Sequence, residues 1–285
     1  MSTLELFLLV GGTLFFLVIG SLVNVIIDRL PKMLDAPNEY GEVWDTRPWR
    51  EVLGGRSRCS DCGTQVRAID NIPIVSWLVL RGRCRECGAR IPMFHLWVEL
   101  AHPVLFLVAV SAFGLTDWRI LVVLWLIPAG LAISVIDLRT MIVPTRIIWP
   151  SFFVAVALAV AVSALEGEWG WLLTAAIGVL VLAGPLFVIW FIHPKGMGFG
   201  DVRLTVLLGW TVGFSAGVRP WAAVVLALLT LTLASILGIV MGVVAMGARG
   251  RKAQVPFGPS LALAAFICAC FAEPILEPFG VYALV

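Results

Sequence analysis

The stretch RILVVLWLIPAGLAISVID, residues 119–137, decides the fold of this chain. Every residue between Arg119 and Asp137 is apolar or small. An α-helix needs about 20 such residues to cross the hydrocarbon core of a bilayer. The stretch therefore predicts a transmembrane helix with an acidic residue at one end. Because a carboxylate at membrane depth is costly to keep, Asp137 is a candidate functional residue.

The rest of the chain is equally apolar. Of its 285 residues, 60% are hydrophobic and 13% are charged, and the mean hydropathy is +1.00. A soluble domain carries roughly 25% charged residues. The sequence therefore predicts an all-α polytopic membrane protein with about eight transmembrane helices. We expect these at residues 6–27, 95–113, 119–137, 147–165, 171–192, 202–217, 221–246 and 260–283, of which 202–217 is the shortest.

Charged residues are concentrated in one region. The segment from Asp28 to Arg90 holds 20 of them, against 18 in the rest of the chain. This distribution predicts a small polar domain inserted after the first helix. We expect three parts: a first transmembrane helix at 1–27, a polar domain at 28–94 and a membrane-embedded domain at 95–285. Within the polar domain, residues 36–55 are rich in Pro, Gly, Glu and Trp and predict an irregular loop.

Lysine and arginine in the short loops indicate the orientation, because such residues collect on the cytoplasmic side. The best agreement places the N-terminus outside and the polar domain in the cytoplasm. Asp137 and Asp201 then both lie at cytoplasmic ends of their helices and can meet. The basic residues on that side, besides the polar domain, are Arg139, Arg146, Lys195, Arg203, Arg249, Arg251 and Lys252.

Four cysteines of the polar domain form two CxxCG motifs. Cys59 and Cys62 belong to the first, and after 21 intervening residues Cys84 and Cys87 form the second. Two such turns are typical of a tetrahedral zinc site, and four thiolates leave no position open for a catalytic water. Zinc here is expected to be structural and to supply folding free energy to a small domain. Disulfides are the alternative, disfavoured by the cytoplasmic placement.

The other two cysteines and the histidines have simpler interpretations. Cys268 and Cys270 lie in the last apolar segment and are expected to be small buried residues without a metal. His95, Glu99 and His102 recur one helical turn apart and are interpreted as a structural polar cluster.

Asp201 ends the sequence Gly198-Phe-Gly200-Asp201. Taken alone, an aspartate before an apolar run is well explained as a helix N-cap. Asp137 taken alone is explained as an interfacial charge paired with Arg139. Their placement on one side of the membrane favours a functional pair, and Gly198 and Gly200 would let a substrate backbone approach closely.

Two carboxylates close together share a proton, and the ionised member can activate water. This chemistry predicts an intramembrane aspartyl protease that uses Asp137 and Asp201, with Gly198 and Gly200 binding substrate. One alternative is a proton- or cation-coupled transporter, which predicts acids near the bilayer midplane and an inverted repeat. The sequence shows neither feature. Another alternative is a zinc-bearing scaffold in which both aspartates only cap helices.

Six motifs, in order along the chain, resemble those of the bacterial prepilin peptidases, the type IV leader peptidase family. The resemblance runs nearly from end to end. The motifs are Gly20–Pro31, Asp70–Trp77, Leu80–Cys84, Ile136-Asp137 with Pro144, Gly196–Val202 and Pro256–Pro259.

This resemblance implies that Asp137 and Asp201 are the catalytic pair. It implies cleavage of the basic leader of type IV prepilins or pseudopilins at the cytoplasmic face of the bacterial inner membrane. Family members with the cysteine domain typically also methylate the new N-terminus, so S-adenosylmethionine is an implied cofactor that no residue pattern here shows independently. The expected partners are these substrates and the lipid bilayer, and no nucleic acid.

Overall fold

The computed structural model describes residues 2–31, 48–249 and 255–277, and these residues are almost entirely helical. Two isolated antiparallel bridges are the only β pairing recorded in these ranges. The all-α expectation is thereby confirmed. The helices are α1 (Thr3–Arg29), α2 (Trp49–Leu53), α3 (Val75–Val79), α4 (Met93–Phe113), α5 (Ile120–Thr140), α6 (Thr145–Glu166), α7 (Gly170–Ile192), α8 (Phe199–Ser215), α9 (Pro220–Arg249), α10 (Gly258–Cys270) and α11 (Ala272–Leu276), with a 3-10 turn at Ala68–Asn71.

The described residues form two compact units, and the boundary falls within α4. One unit ends at Val108 and the other begins at Ala109. The first unit holds α1 to α3 and the cysteine motifs. The second unit holds α5 to α11 and both candidate aspartates.

In the first unit, the two ends of α1 are stabilised differently. Ser2 and Glu5 form a reciprocal capping box at its N-terminus. At its C-terminus, the Arg29 guanidinium donates to the carbonyls of Val52 at 3.0 Å and Gly54 at 2.5 Å. These bonds hold α2 in place. Because Trp49–Leu53 is helical, the irregular loop predicted for 36–55 is wrong for these five residues. Residues 36–47 of that prediction lie outside the described residues.

Within the part of the chain that the structure describes, six helices are long and apolar enough to cross a membrane, namely α1, α4, α5, α6, α7 and α9. The predicted segments 202–217 and 260–283 form shorter helices. The segment 260–283 is divided, because α10 ends at Cys270 and α11 begins at Ala272. Pro274 has no N–H to donate to the Cys270 carbonyl, which disfavours one continuous helix. Residues 278–283 lie outside the described part of the chain.

The centre of the second unit is α8, which contacts α5, α6, α7, α9 and α10. Its 17 residues correspond to a helix of about 26 Å at 1.5 Å per residue. Because other helices surround it, α8 does not need the apolar outer surface of a lipid-facing helix. Thr205, Thr211 and Ser215 are accordingly buried, and each hydroxyl donates to a carbonyl of α8 itself. This enclosure explains why 202–217 is the least distinct segment in the sequence.

Glycines bring the backbones of α7 and α8 into direct contact. A Cβ at Gly178 of α7 would overlap the Gly209 carbonyl oxygen and lie 2.8 Å from the Gly213 Cα. A Cβ at Gly209 would in turn lie 2.6 Å from the Gly178 carbonyl oxygen. Gly209 and Gly213 form a GxxxG pattern, which is typical of close helix packing in membranes. The pattern fixes the height of α8, and therefore of Asp201, relative to α7.

We expect Gly178→Ala to lower the free energy of unfolding by about 1–3 kcal/mol, because its Cβ has no space between the two backbones. Gly184→Ala is the matched control in the same helix, since no atom lies within 4 Å of a Cβ there. Alanine is the better helix former, so the control should leave stability unchanged or raise it slightly. Denaturation of the purified protein in detergent measures both. Equal stability of the two variants would contradict the close α7–α8 contact.

Candidate active site and cysteine cluster

Asp137 is a buried residue near the end of α5. The helix continues past it to Thr140 and ends at Met141, which adopts a left-handed conformation with φ 57°. Asp137 is 3% exposed. A side chain buried to this degree is not an interfacial charge, so that alternative is wrong for Asp137.

The carboxylate of Asp137 has a backbone partner on another helix. Its Oδ2 accepts a hydrogen bond of 3.1 Å from the amide N–H of Gly258, the first residue of α10. The first amides of a helix have no partner within the helix and carry its positive end. This contact places the Asp137 carboxylate where a negative charge is stabilised.

Asp201 lies within the first turn of α8. The N-cap of this helix is Gly198, and no side chain caps it. An N-cap aspartate would accept an amide of the first turn. Asp201 instead is the third residue of the helix, and its buried Oδ1 has no hydrogen-bond partner among the described residues. The N-cap interpretation of Asp201 is therefore wrong.

The helices that carry the two aspartates meet near Gly258 in the second unit. The Gly258 amide binds Asp137, and a Cβ at Gly258 would lie 2.6 Å from the Asp137 Oδ2 and 3.6 Å from the Cδ2 of Leu204 on α8. Leu204 follows Asp201 by three residues on α8. Both carboxyl groups are buried, since Asp137 is 3% exposed and the Oδ1 of Asp201 is buried as well.

The two glycines before Asp201 have different surroundings. Gly198 is exposed, and the nearest atom to its Cβ position is the Asp201 Oδ2 at 3.9 Å. An open position beside the carboxyl group suits close approach of another chain. At Gly200 a Cβ would lie 2.7 Å from the Val143 Cβ. Close packing against Val143 therefore explains the glycine at position 200.

Two features near the aspartates were not assigned from the sequence. One is Gly258, which belongs to the motif Pro256–Pro259. The other is Arg203, whose guanidinium donates to Thr145 Oγ1 at 2.9 Å and lies 4.5 Å from the Phe199 ring centroid. In the sequence, each could have been found from its position. Arg203 follows Asp201 by two residues, and Gly258 begins an apolar run.

The two CxxCG motifs of the first unit adopt the same local conformation. In each, the first cysteine amide donates to the residue after glycine, at 2.9 Å for Cys59 and 2.8 Å for Cys84. The glycine amide donates back to the first cysteine carbonyl at 3.0 Å in both motifs. Gly63 and Gly88 have φ of 70° and 72°, values that favour glycine. The spacing of the motifs thus encodes two equivalent turns.

These turns direct four thiols to one point. The Sγ atoms of the four cysteines lie within 4.8 Å of one another, and all four are free thiols. The Cys59 and Cys87 sulfurs are 3.8 Å apart. That distance is about the edge of a tetrahedron with metal–sulfur bonds of roughly 2.3 Å. Hydrogen bonds from Thr64 lower the pKa of the Cys62 thiol to about 6, and hydrogen bonds with the other three thiols raise the pKa of the Cys87 thiol to about 12. The four residues could hold a metal ion.

A polar network links the segment between the motifs to α1 and α4. The Glu99 carboxylate accepts the Ile74 amide at 2.7 Å and the Asn24 amide group at 3.5 Å. Ile74 has φ 60°, an unfavourable conformation for a β-branched residue, and this bond holds it. His95 lies 3.2 Å from the Asp28 carboxylate. The network agrees with a structural role for the cluster.

Two protein-family models match the chain. The model of the bacterial peptidase A24 N-terminal domain matches residues 14–113, and the model of the type IV leader peptidase family matches residues 120–243. No solved structure matches the chain at a significant level.

Curated relatives cover nearly the whole chain. A prepilin leader peptidase/N-methyltransferase of Pseudomonas putida is 31% identical, over 93% of this chain and 91% of the relative. Proteins of the same name from Aeromonas salmonicida (strain A449) and Dichelobacter nodosus are 33% and 31% identical, over 92% and 94% of this chain and 90% and 93% of the relatives. With six apolar helices besides, this is an integral protein of the bacterial inner membrane. From these matches we conclude that the chain belongs to the type IV leader peptidase family.

Proposed function

We propose that this chain cleaves the basic leader of type IV prepilins or pseudopilins, with Asp137 and Asp201 as the catalytic dyad. The observation that carries the proposal is the Asp137 carboxylate, which is 3% exposed and bonded to Gly258 beside the helix that bears Asp201. Its relatives are named for prepilin leader cleavage. The family membership favours this function over a transporter that would use the same aspartates.

The chemistry follows from one proton shared between two carboxyl groups. The ionised aspartate takes a proton from water, and the water oxygen attacks the scissile carbonyl carbon. The protonated aspartate gives its proton to the carbonyl oxygen, which forms a neutral diol. When the diol collapses, the first aspartate protonates the leaving amine and the second recovers a proton from a diol hydroxyl. Both carboxyl groups return to their starting states.

Substrate approach is proposed along Gly198 and Gly200. The first has the better support, since Gly198 is exposed beside Asp201 and has no side chain to obstruct another chain. The loop arginines and lysines favour an N-terminus outside and both active site and cysteine motifs on the cytoplasmic side. In that orientation a prepilin could keep its basic leader in the cytoplasm while its hydrophobic helix stays in the membrane.

For the cysteine cluster we propose structural zinc. Four thiols at this spacing fit the soft, tetrahedral ligand set that zinc prefers. Cys59, Cys62, Cys84 and Cys87 would be its ligands. Because they use all four positions of a tetrahedral ion, the metal would stabilise the fold without entering the reaction.

The second activity in the relatives' name is N-methylation, for which S-adenosylmethionine would be the methyl donor. We propose this activity for the present chain as well, because relatives with this name match over nearly the whole chain. No residue pattern marks a site for the methyl donor, so we assign no residue to this cofactor.

Asp137→Asn and Asp201→Asn are each expected to lower the rate of prepilin cleavage by at least about 10²–10⁴-fold, because either change removes one proton-transferring group. The matched control is Asp117→Asn, an acid-to-amide change near the other end of α5, where the carboxylate pairs with Arg119 at 2.6 Å. The control should cleave at nearly the wild-type rate. Cleavage is measured with purified prepilin and reconstituted enzyme.

Two results would count against the dyad. One is an aspartate variant that cleaves as fast as the Asp117→Asn control. The other is wild-type enzyme that cleaves no prepilin or pseudopilin while folded, which would remove the proposed function altogether.

Zinc content should depend on the cysteine cluster alone. Protein purified without chelator is expected to hold about one zinc per chain, and Cys59→Ser or Cys84→Ser to hold little and to unfold at lower temperature. Cys270→Ala is the control, since that buried thiol lies outside the cluster. Metal analysis and thermal unfolding measure both effects. A zinc content near zero in the wild type, or one unchanged in Cys59→Ser, would refute the assignment.

A further inference from the structure

We infer that the Gly258 amide holds Asp137 as the ionised member of the dyad and leaves the shared proton on Asp201. The inference rests on the proposed peptidase function and assigns the role of each carboxyl group within it. Gly258 is thereby a positioning residue, since it acts through Asp137 and not on the substrate.

The first support is the geometry around the Asp137 carboxylate. The Gly258 N–H donates to Oδ2 at 3.1 Å in a buried environment. An amide N–H stabilises an ionised acceptor more strongly than a neutral one. This amide also begins α10, so the positive end of the helix faces the same oxygen. Proton transfer to Asp137 would weaken both interactions.

The second support is the way the chain presents this amide. A Cβ at Gly238 of α9 would lie 3.2 Å from the Phe257 ring, so Phe257 packs closely against α9. Leu261 donates its amide to the Phe257 carbonyl at 3.1 Å, which closes the first turn of α10. The next residue, Pro259, has no N–H that could compete for the carboxylate. The motif Pro256–Pro259 has two N–H groups, at Phe257 and Gly258, and the one at Gly258 is the donor to the carboxylate.

Glycine is required at this position for a second reason. An added Cβ at residue 258 would lie 2.6 Å from the Asp137 Oδ2. Real Cβ atoms do not approach an oxygen this closely, so any larger residue would displace the carboxylate from the amide. Glycine at position 258 therefore donates the hydrogen bond to the Asp137 carboxylate and also leaves room for it.

Asp201 differs from Asp137 in its hydrogen-bond donors. Asp201 also lies in the first turn of a helix, a position that favours negative charge. However, no amide donates to it, and its buried Oδ1 lacks a partner within the described ranges. A carboxyl group without donors is better kept protonated, since a neutral group costs less to bury than an ion.

The charged groups on the packed elements do not reverse this difference. On α8 the next charge is Arg203, which is engaged by Thr145 and the Phe199 ring. On α5 and α6 the charges near this end are Arg139 and Arg146, and α10 carries no charged residue. Asp137 and Asp201 are the only carboxyl groups on α5, α8 and α10.

The assignment specifies the direction of proton transfer. Asp137 takes the proton from water, and Asp201 gives its proton to the carbonyl oxygen of the scissile bond. In the collapse of the diol, Asp137 passes the water-derived proton to the leaving amine and Asp201 recovers one from a diol hydroxyl. Gly258 holds Oδ2 in place at the start and the end of this cycle.

The test removes the Gly258 N–H and leaves every side chain unchanged. Cell-free translation with glycolic acid at position 258 replaces the amide by an ester in the full chain, which is then reconstituted in liposomes. Without the donor, ionised Asp137 is less favoured, so the acidic limb of the kcat/KM–pH profile should move to higher pH. The expected shift is about one pH unit, the effect of losing one hydrogen bond to a charged group.

An ester at Leu261 is the matched control. It deletes the donor of the Leu261–Phe257 bond, the same bond that the ester at 258 weakens by making the Phe257 carbonyl a poorer acceptor. The control profile should coincide with that of the wild type. An unmoved acidic limb in the 258 ester, or equal shifts in both esters, would overturn the inference.

A pair of alanine variants checks the packing part. Gly258→Ala should reproduce the shift with a further loss of kcat. Gly130→Ala, on the α5 side of the α5–α10 contact, should not, because its Cβ meets only Ala262 and Leu126 at 3.8 Å or more. A shift of equal size in Gly130→Ala would show that any disturbance of this interface suffices.

A measurement without substrate separates this inference from the proposed function. Infrared spectra of carboxyl-labelled protein report which aspartate carries the proton. On titration from acid, the protonated-carboxyl band of the dyad should disappear at lower pH in Asp201→Asn, which retains Asp137, than in Asp137→Asn. The reverse order, or coincident titrations, would overturn the proton assignment even if cleavage is normal. Absence of cleavage by the wild type with the expected order would defeat only the peptidase proposal.

Discussion

The cost of keeping two carboxyl groups inside an apolar helix bundle governs the second unit. An ion buried among apolar helices is tolerated only with compensating polar contacts. Asp137 obtains one from the first amide of α10, at 3.1 Å. Asp201 obtains none from the described residues. The remaining features of the unit position these two side chains.

Small residues supply most of that positioning. Gly178, Gly209 and Gly213 bring α7 and α8 into backbone contact, Gly200 allows Val143 to pack against the start of α8, and Gly258 admits a carboxylate to within hydrogen-bonding distance of an amide. In each case a methyl group would separate elements that must touch. In the described part of the chain α8 contacts five helices, and these contacts position the helix that carries Asp201.

The segment between the cysteine motifs of the first unit is stabilised in a different way. It has few buried apolar side chains between the cysteine motifs, and several of its apolar residues there are exposed, including Ile69, Val75, Leu78 and Val79. Such a segment needs a cross-link, which four convergent thiols with a metal would provide. Ion pairs add to it, since Arg85 holds Asp70 through two bonds of 2.6 and 2.9 Å. The cluster and these contacts substitute for a core.

Local spacing was enough to predict the long apolar helices and the cysteine cluster, because each depends on residues close together in the chain. A run of 20 apolar residues or a CxxCG turn has the same consequence in any context. The sequence alone did not show that α8 begins at Phe199, that the last apolar segment is divided at Phe271, or that Gly258 binds Asp137. These three features depend on how the helices pack against one another. Residues 137, 201 and 258 are far apart in the chain, and the packing of α5, α8 and α10 brings their helices together. The difference between the two carboxyl groups is therefore a tertiary property, since it arises from a donor more than a hundred residues away in the chain.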